Sequence, residues 1–359
     1  MATVVLAGGG TAGHIEPALA VARAWKLAHP EDVMVFIGTK TGLENKLVPS
    51  AGFTLAHIPR VQISRRPSLS WFRIPFDLFG AVASSRVILK EAQLLIGFGG
   101  YVSGPAYLAA RLAKIPILIH EANAKPGWAN RLGAKLTPYL AVANSVSRGE
   151  FANALITGLP LRSDVSDAFV ASHLDFPAAR IAAKRRLGFD ENMPLVFIMG
   201  GSQGSVAINK VVAESLPELL AKGISILHSA GKSNSLPKEI GAYRPVSYVD
   251  AMGDAYLASD LVISRSGAVT CSEFRALGRY ALFVPLPIGN GEQFYNARLL
   301  TEASRAEVVE QSRFNAQYLV THIDNLLRNS AQSQADGSDA DLAAAEKIVA
   351  FGEFAMSHQ

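Results

Sequence analysis

The sequence predicts an α/β protein made of two Rossmann-like halves, each a parallel sheet flanked by helices. Three observations carry that prediction. Val4 to Ala20, VVLAGGGTAGHIEPALA, runs an apolar strand into Gly8, Gly9, Gly10 and Gly13 and then into a helix placed near Pro17. Leu195 to Val212, LVFIMGGSQGSVAINKVV, repeats the device with Gly200, Gly201 and Gly204 about half a chain later. Around both turns, short apolar runs alternate with helical patterns, as βαβ units require.

In the first half, strands are expected at Val4–Ala7, Val33–Ile37, Leu94–Phe98 and Ile115–His120, with helical patterns such as Pro17–Leu27 and Pro105–Leu112 between them. The Gly158-Leu159-Pro160-Leu161 turn suits a linker. A second series follows at Leu195–Met199, Ile224–Ser229, Leu261–Ser264 and Ala281–Pro285. Asn329 to Asp341 is rich in Ser, Gln, Asp and Gly and reads as a loop, and Leu342–Phe351 reads as a closing helix.

Composition narrows the class. With 359 residues, 49% apolar and 18% charged, the chain has room for two cores. No apolar run approaches the ~18 residues of a membrane span, and no basic leader precedes the first strand, which argues against a signal peptide. The single Cys271 excludes an internal disulfide and fits a reducing cytoplasm, and no Cys/His cluster points to zinc. The net charge of +4 conceals an asymmetry: residues 1–160 carry 16 Lys+Arg against 8 Asp+Glu, and residues 161–359 carry 18 against 22. The basic half is either a solvated surface or the face of an anionic partner.

A glycine-rich strand-to-helix turn is suited to anions, because the backbone approaches closely and the helix end presents free N–H groups. Gly8 to Gly13 also satisfies G-x-G-x-x-G, but the second strand ends in Gly38-Thr39-Lys40 rather than in the acidic residue a dinucleotide ribose requires. His14 lies at the mouth of this turn, where a helix N-terminus would keep its imidazole neutral; it serves either as a base or as a partner for nearby backbone. FGGYVSGP (98–105) places Tyr101 on a flexible loop at the carboxyl edge of the sheet, and Glu121 and Asn123 leave the next strand at the same edge. Asn123 alone also fits helix capping. In RSGAVTCSE (265–273), Thr270 and Glu273 form a formal capping box, and a carboxylate there equally suits ribose hydroxyls. The Gly/Pro-rich loop Pro285 to Ala297 carries Gln293, which suits sugar hydroxyls or plain solvent. Between Arg60 and Lys90, Arg65, Arg66 and Arg73 border Trp71, Phe72, Phe76 and Phe79, either as an interfacial patch for anionic lipid or as core aromatics; no RNA-binding fingerprint accompanies them.

Taken together, GGGTAGHIEPALA, FGGYVSGP, HEAN, GLPLR, GGSQGSVAIN, YVDAM, RSGAVTCSE and GEQFYNA, in this order, resemble the MurG family, which transfers N-acetylglucosamine from UDP to undecaprenyl-diphosphate-linked muramoyl pentapeptide. The resemblance implies a GT-B fold with two Rossmann-like domains facing across a cleft. The expected division is an acceptor and membrane domain at 1–158, a UDP-sugar domain at 159–340, and a helix at 341–359 crossing back to the first.

It also implies inverting chemistry without a metal or other cofactor, UDP-N-acetylglucosamine being a substrate. Arg162 and Ser202 would meet the diphosphate, Val249 the uracil, and Ala268, Val269, Thr270, Cys271, Ser272 and Glu273 the nucleotide sugar, with Glu273 on the ribose. Cys271 by itself reads as packing. Gln293 would read sugar hydroxyls and Asn123 would reach the donor. Thr11, Ala12, Gly13 and His14 would line the acceptor side, with Tyr101 and Glu121 nearby. His14 is the first choice for the base and Glu121 the second. The implied location is the cytoplasmic face of the bacterial plasma membrane, with anionic lipid as a partner, nucleic acid excluded, and room for contacts with other cell-wall synthesis or division proteins.

Two positions depart from the family pattern. Ala12 replaces the middle glycine of T-G-G-H and is expected at negative φ, and Ala122 replaces the amide of HEQN. The competing functions are transfer to another lipid acceptor, such as diacylglycerol, and a non-catalytic nucleotide-sugar-binding subunit.

Overall fold

Parallel pairing dominates both sheets of the chain, whose computed structural model describes residues 1–61, 73–287, 291–333 and 336–358. Two units result, Met1–Leu161 with Asp341–Gln359, and Arg162–Ala340.

The first unit holds β1 (Thr3–Gly8), β2 (Val33–Gly38), β3 (Thr54–His57), β4 (Leu94–Gly99), β5 (Ile117–Glu121), β6 (Tyr139–Val142) and β7 (Leu155–Ile156), in the order β3-β2-β1-β4-β5-β6-β7. Its helices are α1 (Ala12–Ala28), α2 (Glu44–Ser50), α3 (Ile74–Ile88), α4 (Ser103–Ala113) and α5 (Trp128–Gly133). Along β1 the side chains divide with a period of two. Val4 and Leu6 join Trp25, Phe36 and Phe98 on one face, and Val5 and Ala7 join Tyr107 and Phe151 on the other. Both faces being covered, the strand reads as a continuous apolar run.

The second unit begins with α6 (Ser163–Arg186), which is interrupted at Asp175, whose Oδ1 caps the N–H of Ala178 at 3.0 Å. Its strands are β8 (Leu195–Met199), β9 (Ser225–Ser229), β10 (Tyr243–Val246), β11 (Leu261–Ser264), β12 (Ala281–Phe283) and β13 (Ala306–Val308), in the order β10-β9-β8-β11-β12-β13. The helices α7 (Val206–Ala221), α8 (Met252–Ala258), α9 (Ala268–Leu277), α10 (Glu292–Asn296), α11 (Arg298–Glu302) and α12 (Ala316–Gln332) follow in sequence.

The last helix, α13 (Ala344–Ser357), packs with the first unit. Ile348, Val349 and Ala355 enter the core around Trp25, and Gly352 is needed there because a Cβ would come within 2.8 Å of the indole ring. Two hydrogen bonds hold the neighbouring linker. His120 Nε2 donates to the Gly158 carbonyl at 2.9 Å, and the Leu159 N–H donates to Asp341 Oδ1 at 3.0 Å.

Candidate functional site

In each sheet the strand order reverses about a central pair, β1 and β4 in the first and β8 and β11 in the second. The loops leaving such a pair diverge and open a crevice at the carboxyl edge, where ligands of open α/β sheets bind. The glycine-rich segments are those loops.

After β1, Gly10 adopts φ +91°, the left-handed value glycine favours, and a Cβ there would lie 2.7 Å from the Tyr101 ring. Helix α1 then starts at Ala12 with Thr11 as N-cap, not near Pro17, which lies inside it. The proline removes the donor for the Gly13 carbonyl but leaves the rest of the helix intact. Ala12 is not a positive-φ residue, so its methyl group is accommodated at the first helical position. Gly13, next in the helix, is open apart from the Thr11 hydroxyl.

His14 therefore sits in the first turn of α1. Its Nδ1 lies 3.2 Å from the Gly9 carbonyl and 3.2 Å from Thr11 Oγ1. A carbonyl only accepts, so Nδ1 carries the proton and Nε2 keeps its lone pair. The ring packs on Gly99 and Gly100, where a Cβ would come within 3.3 Å of the imidazole. Burial holds the His14 pKa below its ordinary value, against the opposing hydrogen bond to Gly9.

Tyr101 spreads its ring over Gly10, and its hydroxyl lies 3.0 Å from Thr39 Oγ1 and donates to Glu44 Oε1 at 3.1 Å. Burial raises its pKa, so it remains a neutral donor. Glu44, at 0% exposure, also accepts from the Thr39 N–H at 2.9 Å and, through Oε2, from the Gly10 N–H at 3.1 Å. One amide of this glycine turn is thus occupied by the protein's own carboxylate. The sequence reading missed Glu44; a Gly-x-Glu immediately after a strand-end loop was the available signal.

Glu121, 3% exposed, is equally enclosed. Oε1 accepts from the Asn123 N–H at 2.9 Å and from Asn123 Nδ2 at 3.0 Å, while Oε2 accepts from the Gly127 N–H at 2.9 Å and Asn130 Nδ2 at 3.0 Å. Burial pushes its pKa up despite these donors. A carboxylate with both oxygens engaged fixes a loop. Asn130 in turn accepts from the Tyr107 hydroxyl at 2.7 Å and is a second residue the sequence did not disclose.

In the second unit, Ser205 caps α7 by accepting from the Ile208 N–H at 3.3 Å. Arg265 ties the strand ends together. Nη2 donates to Ser205 Oγ at 2.8 Å and Gln311 Oε1 at 2.6 Å, and Nη1 donates to the Val284 and Pro285 carbonyls at 2.8 and 3.1 Å. Gly204 and Gly231 touch so closely that a Cβ on Gly231 would lie 2.3 Å from the Gly204 Cα. Lys232 follows, with its ammonium 4.2 Å from the Tyr248 ring centroid. Arg162 donates to the Tyr248 hydroxyl at 3.3 Å and stands 3.6 Å from Asp164. Two cations therefore converge on Tyr248, with Ser202 in the nearby glycine loop and Val249 buried beside the tyrosine. Lys232 escaped the sequence reading because nothing around it forms a motif.

The capping box of Thr270 and Glu273 is not formed. Gly267 is the N-cap of α9 with no side-chain bond, so Ala268, Val269 and Thr270 are already helical. Cys271 and Ser272 are buried, and burial pushes the Cys271 thiol pKa up. Glu273, 2% exposed, accepts from the Tyr256 hydroxyl at 2.7 Å. The expected open loop around Gln293 contains the short helix α10, and Gln293 Oε1 accepts from the Leu286 N–H at 2.9 Å.

Of the proposed lipid-facing residues, Arg65, Arg66, Trp71 and Phe72 lie outside the described residues. Arg73 precedes α3, and Phe76 and Phe79 on that helix are 79% and 77% exposed. Among the described residues no helix is long and apolar enough to cross a membrane, and no group of three or more His, Cys, Asp or Glu side chains is placed for a metal ion.

Two Rossmann-like units with glycine loops at their switch points, together with matches to both glycosyltransferase family 28 domains, place the chain among glycosyltransferases of the GT-B class. The chain matches the glycosyltransferase family 28 N-terminal domain over residues 4–142 and the C-terminal domain over residues 195–350. It is 43% identical over 338 residues to the UDP-N-acetylglucosamine–N-acetylmuramyl-(pentapeptide) pyrophosphoryl-undecaprenol N-acetylglucosamine transferase of Paenarthrobacter aurescens, covering 92% of this chain and 89% of that protein. It is 41% identical to the enzyme of the same description from Thermobifida fusca, over 97% and 93% of the two chains. Among solved structures, MurG of Acinetobacter baumannii superposes with a TM-score of 0.69 at 26% identity, covering 99% of this chain and 100% of that one. The chain belongs to the MurG family.

Proposed function

We propose that the protein moves N-acetylglucosamine from UDP-N-acetylglucosamine to the 4-hydroxyl of undecaprenyl-diphosphate-linked N-acetylmuramoyl pentapeptide, with inversion at the anomeric carbon. The observation that carries the chemistry is the 3.2 Å contact of His14 Nδ1 with the Gly9 carbonyl, which assigns the proton to Nδ1. With Nδ1–H committed to the Gly9 carbonyl, Nε2 is the free acceptor for a hydroxyl proton, and burial keeps the ring neutral. The substrates are those named for relatives that align over nearly the whole chain.

In this reading the first unit takes the acceptor and the second the donor. The acceptor oxygen attacks the anomeric carbon as Nε2 removes its proton; the bond from that carbon to the UDP oxygen breaks, and UDP departs. Charge growing on the diphosphate is met by Arg162, Lys232, Ser202 and the amides at the N-terminus of α7, without a metal ion or other cofactor entering the step. Glu273, held by Tyr256, serves the ribose; Val249 serves the uracil, Gln293 the sugar hydroxyls, and the first turn of α9 the nucleotide sugar. Glu121 is given a positioning role, fixing Asn123, because its hydrogen bonds run to the loop it closes and to α5. The exposed face of α3 and the neighbouring basic segment dock the protein peripherally on the anionic cytoplasmic leaflet, where the lipid acceptor lies.

The direct test incubates the protein with UDP-N-acetylglucosamine and the lipid-linked muramoyl pentapeptide. Equal yields of lipid-linked disaccharide and UDP are expected. UDP release with diacylglycerol but not with the muramoyl lipid would overturn the acceptor assignment, and no release with either would overturn the enzymatic one.

A further inference from the structure

The Gly9–Gly10 peptide group is gripped from both ends. Its carbonyl accepts from His14 Nδ1 at 3.2 Å, and its N–H donates to Glu44 Oε2 at 3.1 Å. In a trans peptide these two bonds point in opposite directions from one rigid plane. The plane is also sterically fixed. Gly100 lies against the Gly9 carbonyl, where a Cβ would approach to 2.4 Å, and the Tyr101 ring covers Gly10.

We infer that Glu44 is the orienting carboxylate of His14, acting through this single peptide group. A negative charge on the N–H end polarises the amide, makes the Gly9 oxygen a stronger acceptor, and so favours both the Nδ1–H tautomer and proton uptake at Nε2. An acid–base histidine commonly has a carboxylate on its second nitrogen; here one peptide is interposed. Thr39 holds the carboxylate in place by donating to Oε1 from both its N–H and its hydroxyl, which leaves Oε2 for Gly10, and the Tyr101 hydroxyl draws charge onto Oε1 and away from Oε2.

Other charged or titratable groups on the surrounding elements are differently engaged. Glu121 on β5 is enclosed by its own donors, and Arg60 beyond β3 stacks on Tyr101 with its guanidinium carbon 5.3 Å from the ring centroid. Glu16, on α1 itself, is buried. Glu44 is the carboxylate bonded to the peptide that holds the imidazole. It is a positioning residue, since it acts through His14, and the inference rests on His14 being the base.

The test titrates the His14 imidazole by NMR, assigned by difference from His14→Ala, and follows transfer kinetics in the same proteins. Glu44→Gln is expected to lower the His14 pKa and to cut kcat about tenfold, leaving KM for UDP-N-acetylglucosamine unchanged. The acidic limb of the kcat profile moves to lower pH with the imidazole. In a His14→Ala background, Glu44→Gln should have no further effect on residual turnover. Tyr101→Phe, which removes a donor from Oε1 and keeps the ring over Gly10, should shift the His14 pKa upward, so the inference stands or falls even if Glu44→Gln does not fold.

An unchanged His14 titration in Glu44→Gln, or an equal loss in the His14→Ala background, would overturn the role of Glu44. So would a fall or no change in the His14 pKa in Tyr101→Phe. If His14→Ala itself keeps normal turnover, the base assignment fails instead, and the two failures are told apart.

Discussion

Replacing Glu121 by Gln separates a catalytic base from a scaffold. The carboxylate accepts four hydrogen bonds, two at each oxygen, from Asn123, Gly127 and Asn130. A Gln side chain has one accepting oxygen, so in either orientation its NH2 group faces two donors in a buried site. Hydrogen bonds to a charged group contribute ~1.5–3 kcal/mol each, and losing two costs on the order of 3 kcal/mol or more. For a unit of this size ~1 kcal/mol corresponds to ~2–4 °C, so the first unit should melt ~6–12 °C lower. The assay is thermal unfolding of Glu121→Gln beside wild type, with kcat measured below the transition. Turnover should fall together with stability, because Asn123 is released. A protein that melts normally but has lost more than about a hundredfold in kcat would refute the argument and make Glu121 the base.

Further outcomes follow from other parts of the structure. Gly10→Ala places a methyl group at φ +91° and 2.7 Å from the Tyr101 ring; a strain of ~1–2 kcal/mol plus displacement of that ring should lower kcat at least about tenfold with KM for the donor unchanged, as steady-state kinetics would report. Tyr256→Phe frees the Glu273 carboxylate from its 2.7 Å partner and should raise KM for UDP-N-acetylglucosamine several-fold, a change absent if Glu273 does not touch the nucleotide. His120 and His228 are buried, and burial pushes each pKa down to about 4. The unfolded chain takes up these protons at ~6.5 and the folded chain does not, so their contribution is complete above that value and is lost as pH falls towards 4. Denaturant titration should show a loss of ~2 kcal/mol per histidine by about pH 5, with His228→Gln removing the share of the second unit. Replacing Phe76 and Phe79 by Ser should weaken binding to vesicles containing anionic lipid at least about tenfold in a sedimentation assay, and unchanged binding would remove α3 from the docking surface.

Much of this architecture is legible in the chain because buried parallel strands are continuous apolar runs: Leu195–Met199 and Leu261–Ser264 stand as read from sequence. The edge strands are not legible. β7 has two residues, both exposed, and β13 has three, of which Ala306 is buried; both are too short to carry a pattern. Helix α1 was placed too late because proline favours the first helical position, whereas Pro17 lies in its second turn. Thr270 and Glu273 have capping-box spacing, but α9 begins at Ala268 and takes its cap from backbone geometry at Gly267. The site divides in the same way. His14, Tyr101 and Glu121 stand in or beside recognisable strand-end motifs, while Glu44 meets Gly10 across 34 residues and Tyr101 across 57. Such separations leave no local periodicity, and only the folded sheet edge brings these groups together.

The most direct measurement is the kcat of His14→Ala at saturating lipid-linked acceptor and UDP-N-acetylglucosamine. Removal of a general base should lower it by ~10²–10⁴ while UDP-N-acetylglucosamine binding and the melting temperature stay near wild type. Near-normal turnover in that protein would contradict the account.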